Sequence, residues 1–510
     1  MKLANLLSRL VDCKIFGPVN LNISAISDDS RTVKPGSFFI AVQGFTLDGH
    51  KFIPQAIKNG ASAVLGEQAP NKRETDKVTY IQVKNSRKAL GVLASSWFDN
   101  PSKKLKVIGV TGTDGKTTTA TLIHKILQVN GEKSALITTL GAEIGEKKYD
   151  TGFHVTTPDT LPLQKFLAKI VKTGCKYAIL ETTSHGLGQD RVAGIDFYAG
   201  VLTNITHEHL DYHKTYDSYR NAKAKLFKET KLAVLNSDDD SFNFIKKQVP
   251  HGSKTISYAL KTPADIRGDN IKIESSRMKF TIEHSGKEVP IQTKLFGEYN
   301  VYNILAAAGL TQSLSVSWPK IQKAVASFKP LVGRLEKIES NRPFDIYVDF
   351  AHTPNSLEKV LTLLVDTKQK TGRLIAVFGC AGERDTQKRP LMGKISGSLA
   401  DISIFTAEDP RSEDVNKIID QMADGAKQGG ATEGSKNGKG NQKHVYFRKP
   451  ERGEAIKFAA SFAKKGDIVV ICGKGHERSM AYNGVEYPWS DQEAAQSALR
   501  GETKVIKRGK

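Results

Sequence analysis

Apolar residues in this chain come in short runs separated by stretches of helical period, and the alternation is clearest after residue 105. Runs at 105–110, 135–138, 177–180, 200–203 and 233–235 read as strands, with helices predicted over 117–129, 161–173 and 219–228. That rhythm predicts a largely parallel sheet with helices on both faces. A smaller α/β unit precedes it, with a strand at 38–42, a helix at 52–59 and a strand at 62–65. The turn Asn100-Pro-Ser102 places a boundary near residue 103. Between 255 and 293 the pattern changes to the two-residue alternation of hairpins, and an Ala-rich helix is predicted over 300–314. A last unit begins after Lys329-Pro-Leu-Val-Gly-Arg334 and repeats the doubly wound pattern, with strands at 345–349, 374–378, 402–405 and 467–471. Residues 425–443 have almost nothing to bury and are predicted to be a flexible insertion. The expected fold is therefore α/β in three domains: a small N-terminal α/β domain (1–103), a central parallel sheet (104–331) and a Rossmann-like C-terminal domain (332–510). A length of 510 residues agrees with that count.

Composition adds exclusions. A formal charge of +21 raises nucleic acid as a partner, but such binding needs Lys and Arg gathered on one element with aromatics between them. Here the lysines are spread through all regions, the densest groups being pairs such as Lys103-Lys104 and Lys464-Lys465. The surface reads as solvated and favourable to small anions, with no nucleic-acid partner. No apolar run reaches the roughly 18 residues of a membrane span, and the N-terminal segment lacks the apolar block of a signal peptide. A cytoplasmic protein without membrane insertion is expected. Cys13, Cys175, Cys380 and Cys472 are scattered without Cys-x-x-Cys spacing, which predicts reduced thiols.

The chemistry begins at Val107-Ile-Gly-Val-Thr-Gly-Thr-Asp-Gly-Lys-Thr-Thr-Thr119, where a strand enters a Gly-rich turn ending in Gly-Lys-Thr. Amides of such a turn face phosphate oxygens, Lys116 reaches the terminal phosphates and the Thr117 hydroxyl can ligate Mg²⁺. This makes the central domain P-loop ATPase-like. Position 110 is Val where a strict Walker A has Gly, which favours a narrower family. Glu181-Thr-Thr-Ser-His-Gly186 follows a strand, where sites form in parallel sheets, and Glu181 is placed to bind Mg²⁺. Taken alone, an exposed loop acid is the simpler reading of Glu181. Thr206-His-Glu-His-Leu-Asp-Tyr-His213 invites a zinc site on His207, His209 and His213, but Tyr212 puts it out of register with the metallo-hydrolase pattern. Beside a phosphate loop, one or two of these histidines serving Mg²⁺ and phosphate is the better reading. The helix around Ala222-Lys223 reads on composition as an ordinary basic amphipathic helix.

One ordered set of motifs changes that: Gly112-Thr-Asp-Gly-Lys-Thr117, Thr156-Thr-Pro-Asp159, Glu181-Thr-Thr-Ser-His-Gly-Leu187, His209-Leu-Asp-Tyr-His213, Ala222-Lys223, Gly297-Glu-Tyr-Asn-Val-Tyr-Asn303, Gly333-Arg-Leu-Glu336, Asp349-Phe-Ala-His-Thr-Pro-Asn355, Gly379-Cys-Ala-Gly-Glu-Arg-Asp385 and Gly473-Lys-Gly-His-Glu477. With Asp29-Ser-Arg31 the set resembles the Mur ligases over nearly the whole chain, and within them the ligases that add the third residue of the peptidoglycan stem. The resemblance implies an ATP-dependent enzyme that makes an acyl phosphate and then an amide. It implies ATP contacts from Gly112, Thr113, Asp114, Gly115, Lys116, Thr117, Thr118, Asn300, Asn303, Arg334 and Asp349. Mg²⁺ would be held by Thr117, Glu181, His209 and a CO₂-derived carbamate on Lys223, with Lys116, Lys223, His209 and Glu181 as the catalytic set. The UDP-N-acetylmuramoyl dipeptide would meet Asp28, Ser30, Thr156, Thr157, Ser184, Gln189 and Arg191. A diamino acid would meet Arg384, Glu408, Asp409, Pro410, Arg411, Gly473 and Glu477.

This last pocket departs from the family pattern. Enzymes that add meso-diaminopimelate carry Asp-Asn-Pro-Arg, and this chain has Glu408-Asp-Pro-Arg411. Arg411 and Arg384 suit the distal carboxylate that lysine lacks, while Asp409 adds charge that suits a lysine ammonium. Retention of the arginines favours diaminopimelate. Competing readings are the next Mur enzyme, a folate polyglutamylating synthase, a nucleic-acid-stimulated P-loop NTPase and a zinc hydrolase. A monomer with only small-molecule partners is expected.

Overall fold

The structure, a computed structural model, describes residues 1–506 apart from 45–46, 153–155, 207, 275–276 and 435–443. Three large sheets follow one another along the chain, and a two-stranded one, Ser479–Tyr482 with Val485–Pro488, comes after their last long strand. The first runs in the order Lys14–Phe16, Thr79–Gln82, Ala61–Gly66, Ser37–Ile40, Ala25–Ser27, and only Lys14–Phe16 is antiparallel to its neighbour. Phe38, Ile40, Leu65, Ile81, Leu90 and Leu93 form its core against the helix Ser86–Trp97.

The second sheet has eleven strands, and its centre is the phosphate-loop strand Lys106–Thr111. Tyr177–Glu181 and Phe197–Leu202 flank it in parallel, pairing Glu181 with Val110 and Leu202 with Thr111. Val110, the departure from Walker A, is therefore a buried strand residue and the turn starts only at Gly112. The helices Lys116–Val129 and Glu298–Ser313 pack together over one face through Ala120, Ile123, Leu127, Ile304, Ala307 and Ala308. The third sheet runs Glu336–Lys337, Asp345–Asp349, Ile468–Cys472, Leu374–Phe378, Ile402–Phe405, Val445–Arg448, Thr432–Glu433, parallel except for its first strand. Asp349, Glu408 and Gly473 thus sit at or just beyond carboxyl ends of parallel strands, as Glu181 does in the second sheet.

The sequence pattern misplaced several elements. Lys254–Ala259 and Ile266–Glu274 pair in parallel, so the antiparallel hairpins are confined to 266–293. The hairpin Gly141–Ile144 with Lys147–Tyr149, at the sheet edge, gave no signal above its polar surroundings. The helix predicted from 219 begins at Tyr216, because Thr215 caps it by accepting from the Ser218 N–H. Residues 425–428 close the helix Val415–Gln428, whose Ile418, Ile419, Met422 and Ala426 are buried, and Thr432–Glu433 pairs with Val445–Arg448. The expected insertion therefore shrinks, and its remainder at 435–443 lies outside the described residues.

Candidate active site

The site is built on the turn between the strand Lys106–Thr111 and the helix Lys116–Val129. Gly112 has φ +150°, and a Cβ there would meet Thr203 Oγ1 at 1.8 Å; at Gly115, φ +82°, it would meet Asn303 Oδ1 at 2.2 Å. Glycine at both places lets the backbone close tightly enough to aim amides at an anion. Lys116 Nζ donates to the Gly112 and Thr113 carbonyls at 3.1 and 2.6 Å, curled over its own loop. Thr117 Oγ1 donates to both carboxylate oxygens of Glu181, at 3.2 and 3.0 Å. Glu181 is 2 % exposed, so the exposed loop acid is excluded: strand pairing puts this carboxylate beside the phosphate loop. Thr113 and Thr118 are also buried. Asp114 is tied to the third sheet's unit by Asn355 Nδ2, which donates to its Oδ2 at 2.7 Å.

Lys223 is 1 % exposed and donates to the Gly112 carbonyl at 2.6 Å, with its Nζ 4.5 Å from the Tyr219 ring centroid. Burial first, and the Lys116 charge second, hold its pKa well below the usual lysine value. The basic amphipathic reading of this helix fails at Lys223, which points inward. His209 has φ +56° and meets the His185 ring edge-on at 4.7 Å. Burial, then neighbouring positive charge, holds His209 well below the ordinary histidine range, and burial brings His185 and His213 down to about 4. All three imidazoles are neutral at pH 7. Among the described residues no three His, Cys, Asp or Glu side chains converge on a metal-sized space, and His207 lies outside them. Among the described residues the zinc reading therefore has no cluster to rest on. The paired oxygens of Thr117 and Glu181 are instead the donors Mg²⁺ prefers.

At the other end of the loop, Thr119 Oγ1 donates to Asn303 Oδ1 at 3.2 Å, and Asn303 Nδ2 donates to Asn300 Oδ1 at 3.1 Å. These bonds fix the start of Glu298–Ser313 against the phosphate-loop helix. Arg334 Nη2 donates to Thr117 Oγ1 at 3.3 Å while its guanidinium lies 4.6 Å above the Phe350 ring. Asp349 accepts from the Leu335 and Ala351 N–H groups at 2.6 and 2.7 Å, and burial raises its carboxyl above the usual range.

The loops expected to take the amino acid follow two strands of the third sheet, Ile402–Phe405 and Ile468–Cys472, which lie either side of Leu374–Phe378. Lys474, its side chain fully buried, donates to both oxygens of Asp409 at 2.8 Å and is paired with Glu477. Asp409 also accepts from the Ala481 N–H at 2.9 Å. Arg411, at φ +52°, donates through Nη1 to the Gly382 carbonyl. Burial, then the like charge of Arg411, lowers the pKa of Arg384. Pro410 is buried between these groups in sequence. Glu408 is buried, has no partner on Oε2 among the described residues, and is pushed up to about 8 by burial against the pull of Lys388 and Arg452. A Cβ on Gly473 would stand 2.6 Å from that oxygen.

One cleft of about 640 Å³ takes in Lys116, Glu181, His209, Arg334, Asp349, Arg384, Arg411 and Glu477. Thr156, Thr157 and Arg191 line it too. Arg191 Nε donates to Gln189 Oε1 at 3.0 Å and Arg191 Nη1 to the Thr157 carbonyl at 3.1 Å. Asp28, Ser30, Ser184 and Gln189 are not among its lining residues: the first two belong to the first sheet's unit, and Ser184 Oγ is buried without a partner. Sequence reasoning left out Glu208, Asn355 and Lys388, which also belong here. Glu208, pushed up to about 7 by burial, is 3.8 Å from His352 Nε2, and Lys388 Nζ donates to the His352 carbonyl at 2.8 Å. Glu208 stood between two histidines and Asn355 ended a quoted motif; Lys388 carried no signal at all.

A phosphate loop, a buried carboxylate and several arginines facing one cleft, with the amine of Lys223 buried on the loop's Gly112 carbonyl, fit an enzyme of the phosphoryl-transferring, amide-forming class. Three family profiles match in order: Mur ligase family, catalytic domain over 22–98; Mur ligase middle domain over 110–311; and Mur ligase, glutamate ligase domain over 333–475. UDP-N-acetylmuramoyl-L-alanyl-D-glutamate--2,6-diaminopimelate ligase of Clostridium tetani is 38 % identical over 480 residues, covering 94 % of this chain and 95 % of that protein. UDP-N-acetylmuramyl-tripeptide synthetase of Roseiflexus sp. is 36 % identical over 514 residues, covering 98 % and 99 %. A solved UDP-N-acetylmuramoyl-L-alanyl-D-glutamate--2,6-diaminopimelate ligase superposes with a TM-score of 0.68 at 30 % identity, covering 98 % of this chain and 99 % of the other. The chain belongs to the Mur ligase family and is an ATP-dependent, amide-forming ligase.

Proposed function

We propose that this ligase joins meso-2,6-diaminopimelate to UDP-N-acetylmuramoyl-L-alanyl-D-glutamate in peptidoglycan synthesis. The observation that carries the choice of amino acid is the pairing of Asp409 with Lys474. The acid that suited a lysine ammonium is already engaged by a buried cation, which it shares with Glu477, and the charges facing the cleft nearby include Arg384 and Arg411. A planar fork is the matched partner of a distal carboxylate. Lysine has no distal carboxylate to meet that pair.

The substrate carboxylate attacks the γ-phosphorus of ATP and ADP leaves; the amine then attacks the acyl carbon and phosphate leaves with the bonding pair. Both steps bring negative groups together, so catalysis rests on positioning and charge neutralisation. Lys116 and Arg334 converge on Thr117 and its loop from two sides of the cleft and supply that charge. Residues 1–103 hold the uridine end through Asp28 and Ser30, 104–331 hold ATP, and 332–510 bring the amino acid. Arg191, held by Gln189, meets the muramoyl peptide from the cleft wall, with Ser184 in the buried turn behind it. The neutral amine of Lys223 is the form that takes up CO₂, giving a carbamate and releasing one proton. Thr117, Glu181, His209 and that carbamate would hold Mg²⁺, which neutralises phosphate charge when bound. The enzyme works as a monomer in the cytoplasm.

A coupled phosphate-release assay tests this reading. Release is expected only with ATP, Mg²⁺, the nucleotide dipeptide and diaminopimelate together, and L-lysine is expected to be the poorer acceptor. A preference for lysine would overturn the assignment.

A further inference from the structure

Arg452 and Asp491 form an ion pair with both side chains fully buried. Arg452 Nε donates to Asp491 Oδ1 at 2.8 Å and Arg452 Nη2 to Asp491 Oδ2 at 2.7 Å. The other donors of the same guanidinium go elsewhere: Nη1 to the Ala407 carbonyl at 3.1 Å and Nη2 to the Cys472 carbonyl at 2.8 Å. Ala407 precedes Glu408 and Cys472 precedes Gly473, so one side chain grips the last carbonyl before each of the two amino-acid loops. Asp491 in turn accepts from Trp489 Nε1 at 2.8 Å, which fixes the carboxylate that aims the guanidinium. The pair stands at the starts of two helices, Arg452–Phe462 and Asp491–Leu499, whose buried faces share one core through Ala455, Ile456, Ala459, Ala494, Ala495 and Ala498.

A buried ion pair is weak evidence for stability, since apolar residues of similar volume often serve the fold equally well. A role confined to the core leaves unexplained why both remaining contacts of Arg452 fall on the residues that open the acceptor loops. No other side chain could reproduce them: lysine presents one nitrogen, while the fork meets a carboxylate and two carbonyls in different directions at once.

We infer that Arg452 and Asp491 are positioning residues for the acceptor amino acid, setting the spacing of the Glu408–Arg411 and Gly473–Glu477 loops without touching substrate. The inference rests on the acceptor pocket proposed above. The test uses full-length Asp491→Asn and Arg452→Lys, with KM measured separately for meso-diaminopimelate, ATP and the nucleotide dipeptide, and the thermal midpoint recorded for each. KM for diaminopimelate is expected to rise about tenfold or more, the scale of one lost charge-assisted hydrogen bond, while KM for ATP stays within about twofold. An unchanged diaminopimelate KM, an equal rise in all three constants, or loss of the fold in both variants would each reduce the pair to a stability element. Failure of the function itself is distinguishable, because the wild-type protein would then release no phosphate with diaminopimelate.

Discussion

Replacing Arg411 by alanine separates recognition of the distal carboxylate from everything else the acceptor must do. Arg411 sits in the left-handed region at φ +52°, and alanine carries the same Cβ, so the backbone strain is unchanged. What disappears is the guanidinium that lines the cleft beside Arg384 and is anchored on the Gly382 carbonyl. A charge-assisted hydrogen bond is worth about 1.5–3 kcal/mol, or roughly 10- to 150-fold in kcat/KM. Arg384 remains charged in the cleft and still offers the carboxylate a partner, so a fall near the lower end, about 10- to 30-fold, is expected for diaminopimelate. L-Lysine is the internal control, since any loss of folded enzyme lowers both activities together. The assay is steady-state phosphate release with each amino acid at saturating ATP. If lysine falls as far as diaminopimelate, the arginine does not read the distal carboxylate and the reasoning fails.

Three further outcomes are expected. Lys474→Met removes the buried cation between Asp409 and Glu477, which should cost about 3–5 kcal/mol of stability and shift the amino-acid preference toward lysine; denaturant midpoints and the ratio of the two kcat/KM values measure these, and an unmoved ratio would detach Asp409 from specificity. Lys223→Ala should abolish ligation and regain part of it with a short added carboxylate, whereas full wild-type activity in CO₂-free buffer, with mass spectrometry finding unmodified lysine, would refute the carbamate. Glu408 is raised from 4.5 to about 8, so between those values the unfolded chain loses a proton that the folded one keeps, and stability falls as pH rises by at most about 1.4 kcal/mol per unit. Glu408→Gln should flatten the decline of the thermal midpoint between roughly pH 5 and 8; parallel curves would contradict the shifted carboxyl.

The phosphate loop was legible because glycine, lysine and threonine are needed at fixed spacing along one stretch of chain, and Glu181 because it closed an apolar run, at the carboxyl end of a parallel strand. The elements that escaped were those with weak periodicity, such as the edge hairpin at 141–149, or those decided by a cap, as Thr215 decides Tyr216–Ala224. Residues 425–428 looked structureless because their glycines and lysines obscure an apolar face completed only by Ile418, Ile419 and Met422 earlier in the helix.

The sequence by itself determined the α/β alternation and the phosphate loop, since each depends on neighbours within a few positions. It left Asp409 ambiguous between welcoming an ammonium and doing nothing of the kind. Only the tertiary structure paired that carboxylate with Lys474, 65 residues away in sequence, and joined Arg452 to Ala407, Cys472 and Asp491. Charge in a pocket is a sum over groups brought together by sheet order, and a linear pattern carries the members of that sum but not which of them cancel.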